Sequence, residues 1–190
     1  ELMMLHERLN ATFLYVTHDQ IEALTLASRI VVMKDGYVQQ IATPKEMFDK
    51  PENLFVAGFI GTPPMNFANG IISNDLQYFE HNSGIKLKLN EHQSEILGSY
   101  AGKQVVMAIR PEYIHIDDAF LATHKDSQFE MNIELTEFLG AYHLLYGDFG
   151  GEKVIAKVYT REPVTATKLT AAFDMEMVHF FDVETTKRIR

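Results

Sequence analysis

Apolar residues fall along this chain in two textures, and the change comes at Thr62-Pro63-Pro64. Before it, helical spacing dominates. Leu2, Leu5 and Leu9 lie on one face of an amphipathic helix predicted over residues 1–10, with Asn10 near its end. The run Thr12–Thr17 is apolar and β-branched and predicts a strand buried on both faces, as in a parallel sheet. A helix follows from about Gln20 to Ser28, capped by Asp19, with Glu22 in a capping-box relation to it. Asp35-Gly36 predicts a tight turn joining strands Ile30–Lys34 and Tyr37–Ile41. Thr43-Pro44-Lys45-Glu46 combines a cap, a first-turn proline and a third-position glutamate, so a helix starts there and Pro51 stops it. A further helix is expected from Glu52 to Ile60, ended by Gly61.

Beyond the prolines the pattern shortens to alternation. Strands are predicted at Asp75–His81, Ile85–Leu89, Gln104–Arg110, Phe129–Phe138, Tyr142–Phe149, Lys153–Tyr159 and Met175–Val183. Turns are supplied by Asn82-Ser83-Gly84, Gly140 and Gly150-Gly151. Closely spaced short strands of this kind predict a small antiparallel barrel or sandwich. The expected domains are therefore residues 1–61 and 62–190.

Composition narrows the function classes. Hydrophobic residues make up 46% of 190, enough for a packed core. There are 17 basic against 26 acidic residues, a net charge of −9 that argues against a nucleic-acid partner. Lys187-Arg188-Ile189-Arg190 is the nearest thing to a basic patch and reads as a solvated tail. The absence of cysteine excludes disulfides and thiolate metal sites. No apolar run reaches the roughly 18–20 residues that span a bilayer, so a membrane connection is expected only through partner subunits.

One residue stands out as a carrier of chemistry. His18 sits where the predicted strand hands over to the predicted helix, and in open α/β sheets ligands bind at the carboxyl ends of strands. The surrounding Tyr15-Val16-Thr17-His18-Asp19-Gln20-Ile21-Glu22-Ala23 resembles the switch-histidine loop of ATP-binding cassette (ABC) ATPases. The likeness continues through Leu26–Gly36, Thr43–Glu46, Phe55–Phe67 and Ile109-Arg110-Pro111-Glu112, as in the ATPase subunits of maltose-type sugar importers.

That resemblance implies an α/β fragment, the C-terminal part of a P-loop ABC ATPase domain, followed by a mostly β, OB-type regulatory barrel. It implies a parent that uses ATP and Mg2+ to drive uptake of a sugar or related solute. It also implies a homodimer, permease subunits as partners, a possible regulatory protein at the barrel, and a place at the cytoplasmic face of the membrane. His18 would contact the γ-phosphate and the attacking water. No G-x-x-x-x-G-K-[ST] phosphate loop occurs, nor the family's Ser-Gly-Gly signature. The chain thus reads as a C-terminal fragment, inactive alone. The alternative is a free-standing regulatory or small-ligand-binding OB-type module.

Other residues read more plainly. Asp19 reads first as a helix cap that orients the loop, with a contact to nucleotide or the opposite subunit as the alternative, while Gln20 and Glu22 read as solvated. His6, His81, His92, His115, His124, His143 and His179 show no metal-ligand spacing. Phe55, Phe59, Phe67, Phe120 and Phe129 read as packing. Arg110-Pro111-Glu112 reads as a strand end and turn, with an inter-subunit salt bridge from Arg110 as the alternative. Tyr142 and His143 are weaker candidates to face a ligand or partner.

Overall fold

The computed structural model describes Met4, Arg8, Leu9 and residues 11–190. Leu2, Leu5, His6 and Asn10 lie outside the described residues, and with them most of the expected N-terminal helix face. The chain divides into two compact units, Glu1–Gly61 and Thr62–Arg190.

The first unit holds α1 (Gln20–Leu26), β1 (Ile30–Lys34), β2 (Tyr37–Ala42), α2 (Pro44–Asp49) and α3 (Leu54–Phe59). β1 and β2 pair antiparallel with Ile30 opposite Ala42 and a bulge at Val32/Met33. Their two-residue turn needs φ > 0 at both positions, and Asp35 (φ 51°) and Gly36 (φ 83°) supply it. Thr43 and Glu46 form the reciprocal capping box of α2, and Asn53 caps α3 by accepting from the Val56 amide. Ile30, Val32, Met47, Val56 and Ile60 make a small core.

The Thr12–Thr17 segment departs from expectation. It forms no strand, and Leu14 and Val16 are 92% and 87% exposed. A doubly buried strand requires neighbours on both sides. Among the described residues no strand pairs with this segment, and the sheet described in the unit is an antiparallel hairpin.

The second unit is mostly β and OB-like. One five-stranded sheet contains β3 (Asn66–Ile72), β4 (Tyr78–His81), β5 (Lys86–Lys88), β6 (Gln104–Ile109) and β12 (His179–Asp182), in the order β12-β6-β3-β4-β5. The other contains β7 (Ile114–His115), β8 (Gln128–Phe138), β9 (His143–Phe149), β10 (Glu152–Val158) and β11 (Lys168–Phe173), in the order β10-β9-β8-β11-β7. Both inner faces feed one core that includes Ile72, Phe79, Met107, Phe129, Phe149 and Phe180. Phe129, Phe149 and Phe173 meet with ring centroids 4.4–5.0 Å apart.

Two short helices, α4 (Glu91–Ile96) and α5 (Asp118–Thr123), interrupt the strands where the alternation pattern predicts none. Asn90 and Asp117 cap them. Strands β3, β7 and β11 are also absent from the predicted set. The expected strand at Met175–Val183 divides into a 3-10 turn at Met175–Met177 followed by β12.

Candidate functional site

The loop that carries His18 is built from its two flanks. On one side, the Thr17 hydroxyl donates to Glu22 Oε2 at 2.7 Å, and the Tyr15 hydroxyl donates to the same oxygen at 3.1 Å. On the other, Asp19 Oδ1 accepts from the amides of Ile21 (2.8 Å) and Glu22 (3.2 Å), capping α1. The Asp19 amide closes the ring by donating to Thr17 Oγ1 at 2.9 Å. Both neighbours of His18 are thereby fixed, while its own side chain is exposed and, among the described residues, makes no hydrogen bond.

Half of the expected capping box forms. Asp19 caps as predicted, but the Glu22 carboxylate does not return to the Asp19 amide. It is taken by two hydroxyls, and its hydrogen bond and charge raise the Tyr15 phenol above its ordinary value. Glu22 is therefore the organiser of the loop rather than a solvated helix residue. Gln20 is not merely solvated either. Its Nε2 donates to the Phe59 carbonyl at 2.5 Å and its Oε1 accepts from the Gly61 amide at 2.8 Å. No local sequence signal points to that pairing, because the partners lie 39 and 41 residues away.

The remaining candidates sort into packing roles. His81 is buried, with Nδ1 2.7 Å from Ser83 Oγ and its ring 4.5 Å from Phe149. His115, Phe120 and His124 form a stack with centroids 3.9 and 3.7 Å apart. Arg110 is 1% exposed, and its burial leaves no surface for a salt bridge to another subunit. The Pro111–Tyr113 turn follows it, as the plainer reading expects. Tyr142 faces Lys157, whose ammonium lies 4.5 Å from the ring centroid, and His143 is buried edge-on to Phe138. Phe59 is partly exposed and stacks on Phe55 with ring centroids 5.5 Å apart.

An OB-like β unit, joined to an α+β unit that displays a pinned histidine loop, defines the class. Residues 61–114 match the family described as MalK OB fold domain. Over all of its length the chain is 44% identical to the "Oligosaccharides import ATP-binding protein MsmX" of Bacillus subtilis, of which it covers 52%. It is 40% identical to the "sn-glycerol-3-phosphate import ATP-binding protein UgpC" of Escherichia coli, again over all of this chain and 51% of the relative. The chain is thus similar to ATP-binding proteins of importers, and it spans about half the length of the curated relatives it matches. A solved structure of the cytoplasmic molybdate-binding protein ModG aligns with 60% of this chain and 94% of its own, at 13% identity and a TM-score of 0.48. That likeness is too slight to bear on fold or function.

Proposed function

We propose that this chain is the C-terminal part of the ATP-binding subunit of an ABC importer that takes up a sugar or related solute. Residues 1–61 then complete a P-loop ATPase domain of α/β type, and residues 62–190 form its OB-type regulatory domain. The reading is supported above all by the His18 loop, where Thr17 and Asp19 are held by hydrogen bonds and the imidazole between them makes none among the described residues.

Such an imidazole fits a phosphate oxygen as a hydrogen-bond donor and a water molecule as an orienting partner. ATP supplies the transferable γ-phosphoryl group. His18 contributes one contact, aimed at the γ-phosphate and the attacking water, and its value lies in being positioned before the substrate arrives. It does not hold a nucleotide by itself. The given residues carry no G-x-x-x-x-G-K-[ST] phosphate loop, and on this reading the chain alone should not hydrolyse ATP.

No described helix is long and apolar enough to cross a membrane. Attachment to the cytoplasmic face would run through permease subunits, with two copies of the ATPase working as a dimer and the OB-type domain open to a regulatory protein. The test is His18→Ala in the full-length ATPase. ATP binding should persist while kcat falls by about 10²–10³-fold, the usual effect of removing one transition-state contact. Hydrolysis at the parent rate would rule out the role given to His18.

A further inference from the structure

We propose that Gln20 is a positioning residue for the His18 loop, setting where the loop stands through its bridge to the end of α3. The inference rests on the reading of His18 given above and adds to it a residue that acts through the loop.

The bonds within the loop fix its shape and not its location. Tyr15, Thr17 and Asp19 bond to Glu22 or to the first amides of α1, so these contacts travel with the loop as one piece. Helix α1 cannot anchor that piece by its own stability. It has seven residues and none is fully buried, and isolated helices shorter than about 12 residues are marginal in water. Its far half is held by Ala23, Leu24 and Ala27, which pack against the small core.

At the near half, beside His18, the anchor is Gln20. Its carboxamide spans Phe59 O and Gly61 N as a neighbouring strand would, one donor and one acceptor in a single plane. Ile60, between those two partners, is 3% exposed and part of the core. The bridge therefore ties the loop to a fixed point of the unit. Two hydrogen bonds set side by side also restrain rotation, which a single bond would not.

The experiment uses the full-length ATPase and compares Gln20→Ala, Gln20→Glu and His18→Ala. Two quantities are read: kcat and KM for ATP, and the hydrogen-exchange rate of the Gly61 amide. Gln20→Ala should lower kcat about 10- to 100-fold, as expected for a misplaced catalytic group, with KM changed less than about 2-fold, and should speed Gly61 exchange. Gln20→Glu keeps an acceptor for the Gly61 amide and should recover part of both. A rate that tracks Gly61 protection across the variants supports the positioning role.

Two results overturn it: parent kcat in Gln20→Ala, or lowered kcat with Gly61 exchange unchanged. The two ideas fail separately. An unimpaired His18→Ala removes the catalytic reading of the histidine, and with it any positioning role for Gln20. An impaired His18→Ala with an unimpaired Gln20→Ala removes only the present inference.

Discussion

The Asn66 side chain pairs with the backbone of Ile155 as though it were a peptide unit. Asn66 Oδ1 accepts from the Ile155 amide at 2.7 Å and Nδ2 donates to the Ile155 carbonyl at 2.9 Å, across 89 residues of sequence. Asn66 belongs to β3 and Ile155 to β10, which lie in different sheets, so one carboxamide links the two where no strand does. Three residues on, the Asn69 amide and side chain repeat the link by donating to the Glu152 carboxylate at 3.1 and 3.2 Å.

Removing that carboxamide should be costly. Asn66→Ala leaves a backbone donor and a backbone acceptor on β10 without partners, and about 2–4 kcal/mol of stability should be lost. Asn66→Asp keeps the acceptor but cannot donate to the Ile155 carbonyl, so it should not restore the parent value. Urea midpoints of the two variants at unchanged slope are the measurement.

Close backbone approach makes a second prediction. A Cβ at Gly147 would lie 2.2 Å from the Asn132 carbonyl oxygen, and one at Gly70 would lie 2.5 Å from the Glu80 carbonyl oxygen. Carbonyls in a paired ladder cannot step aside. Gly147→Ala and Gly70→Ala should each cost about 1–3 kcal/mol or more, while Gly98→Ala, where nothing lies within 4 Å, should be neutral or slightly stabilising. Comparable midpoints for all three would contradict the packing described here.

Stability should depend on pH at both extremes through Asp182 and its partner Tyr100. The Asp182 carboxylate accepts from the Thr185 amide and hydroxyl and from the Tyr100 hydroxyl, and these bonds hold its pKa below the ordinary value. Its contribution is full above the unfolded value of about 3.9 and is lost as pH falls through the lowered native value. Burial, and then the bond to Asp182, raises the Tyr100 phenol. That contribution is full below about pH 10 and is lost as pH rises through the native value. The Tm gap between parent and Asp182→Asn should shrink below about pH 4, and the gap for Tyr100→Phe should shrink above about pH 10. A gap independent of pH would contradict both shifts.

Lys157 tests the worth of a half-hidden ion pair. Burial, the largest single influence, lowers its pKa, but the hydrogen bonds and charges of Glu112 and Tyr159 together outweigh it and the net shift is upward. Its Nζ lies 3.1 Å from Glu112 Oε1 and 4.5 Å from the Tyr142 ring centroid, with only 14% of the side chain exposed. A double-mutant cycle over Lys157→Met and Glu112→Gln should give a coupling of about 1–2 kcal/mol, above the median of exposed pairs.

The uncovered apolar segment gives a prediction about association. Leu14 and Val16 are exposed on a segment that joins no strand, and an uncovered apolar segment invites pairing with another chain. The chain should associate at tens of micromolar, and Leu14→Glu with Val16→Glu should weaken that association in light scattering. If the double variant associates as strongly as the parent, the Thr12–Thr17 segment is not the contact.

How far each element was legible depended on where its determinants sit. The Asp35-Gly36 hairpin and the Thr43–Glu46 capping box follow from residues two to four positions apart, and both stand where the pattern puts them. β3 was missed because Asn66, Asn69 and Gly70 dilute its alternation. Each of them answers to a distant partner: the Ile155 backbone, Glu152 and the close approach of Phe79 and Glu80. His18 was legible by its neighbours in sequence, whereas Gln20 was not, since its partners are Phe59 and Gly61.

The sequence by itself determined the turns, the caps, the change of texture at Thr62 and the resemblance carried by the His18 loop, because each rests on the chain's own backbone preferences over a few residues. Tertiary structure decided the rest. Thr12–Thr17 has the composition of a strand, yet a strand exists only when neighbouring backbone completes its hydrogen bonds, and composition cannot supply the neighbour. The same reason raises Gln20 and Asn66 from unremarkable polar residues to connectors: a carboxamide acquires structural weight only from the backbone groups that the fold brings within about 3 Å of it.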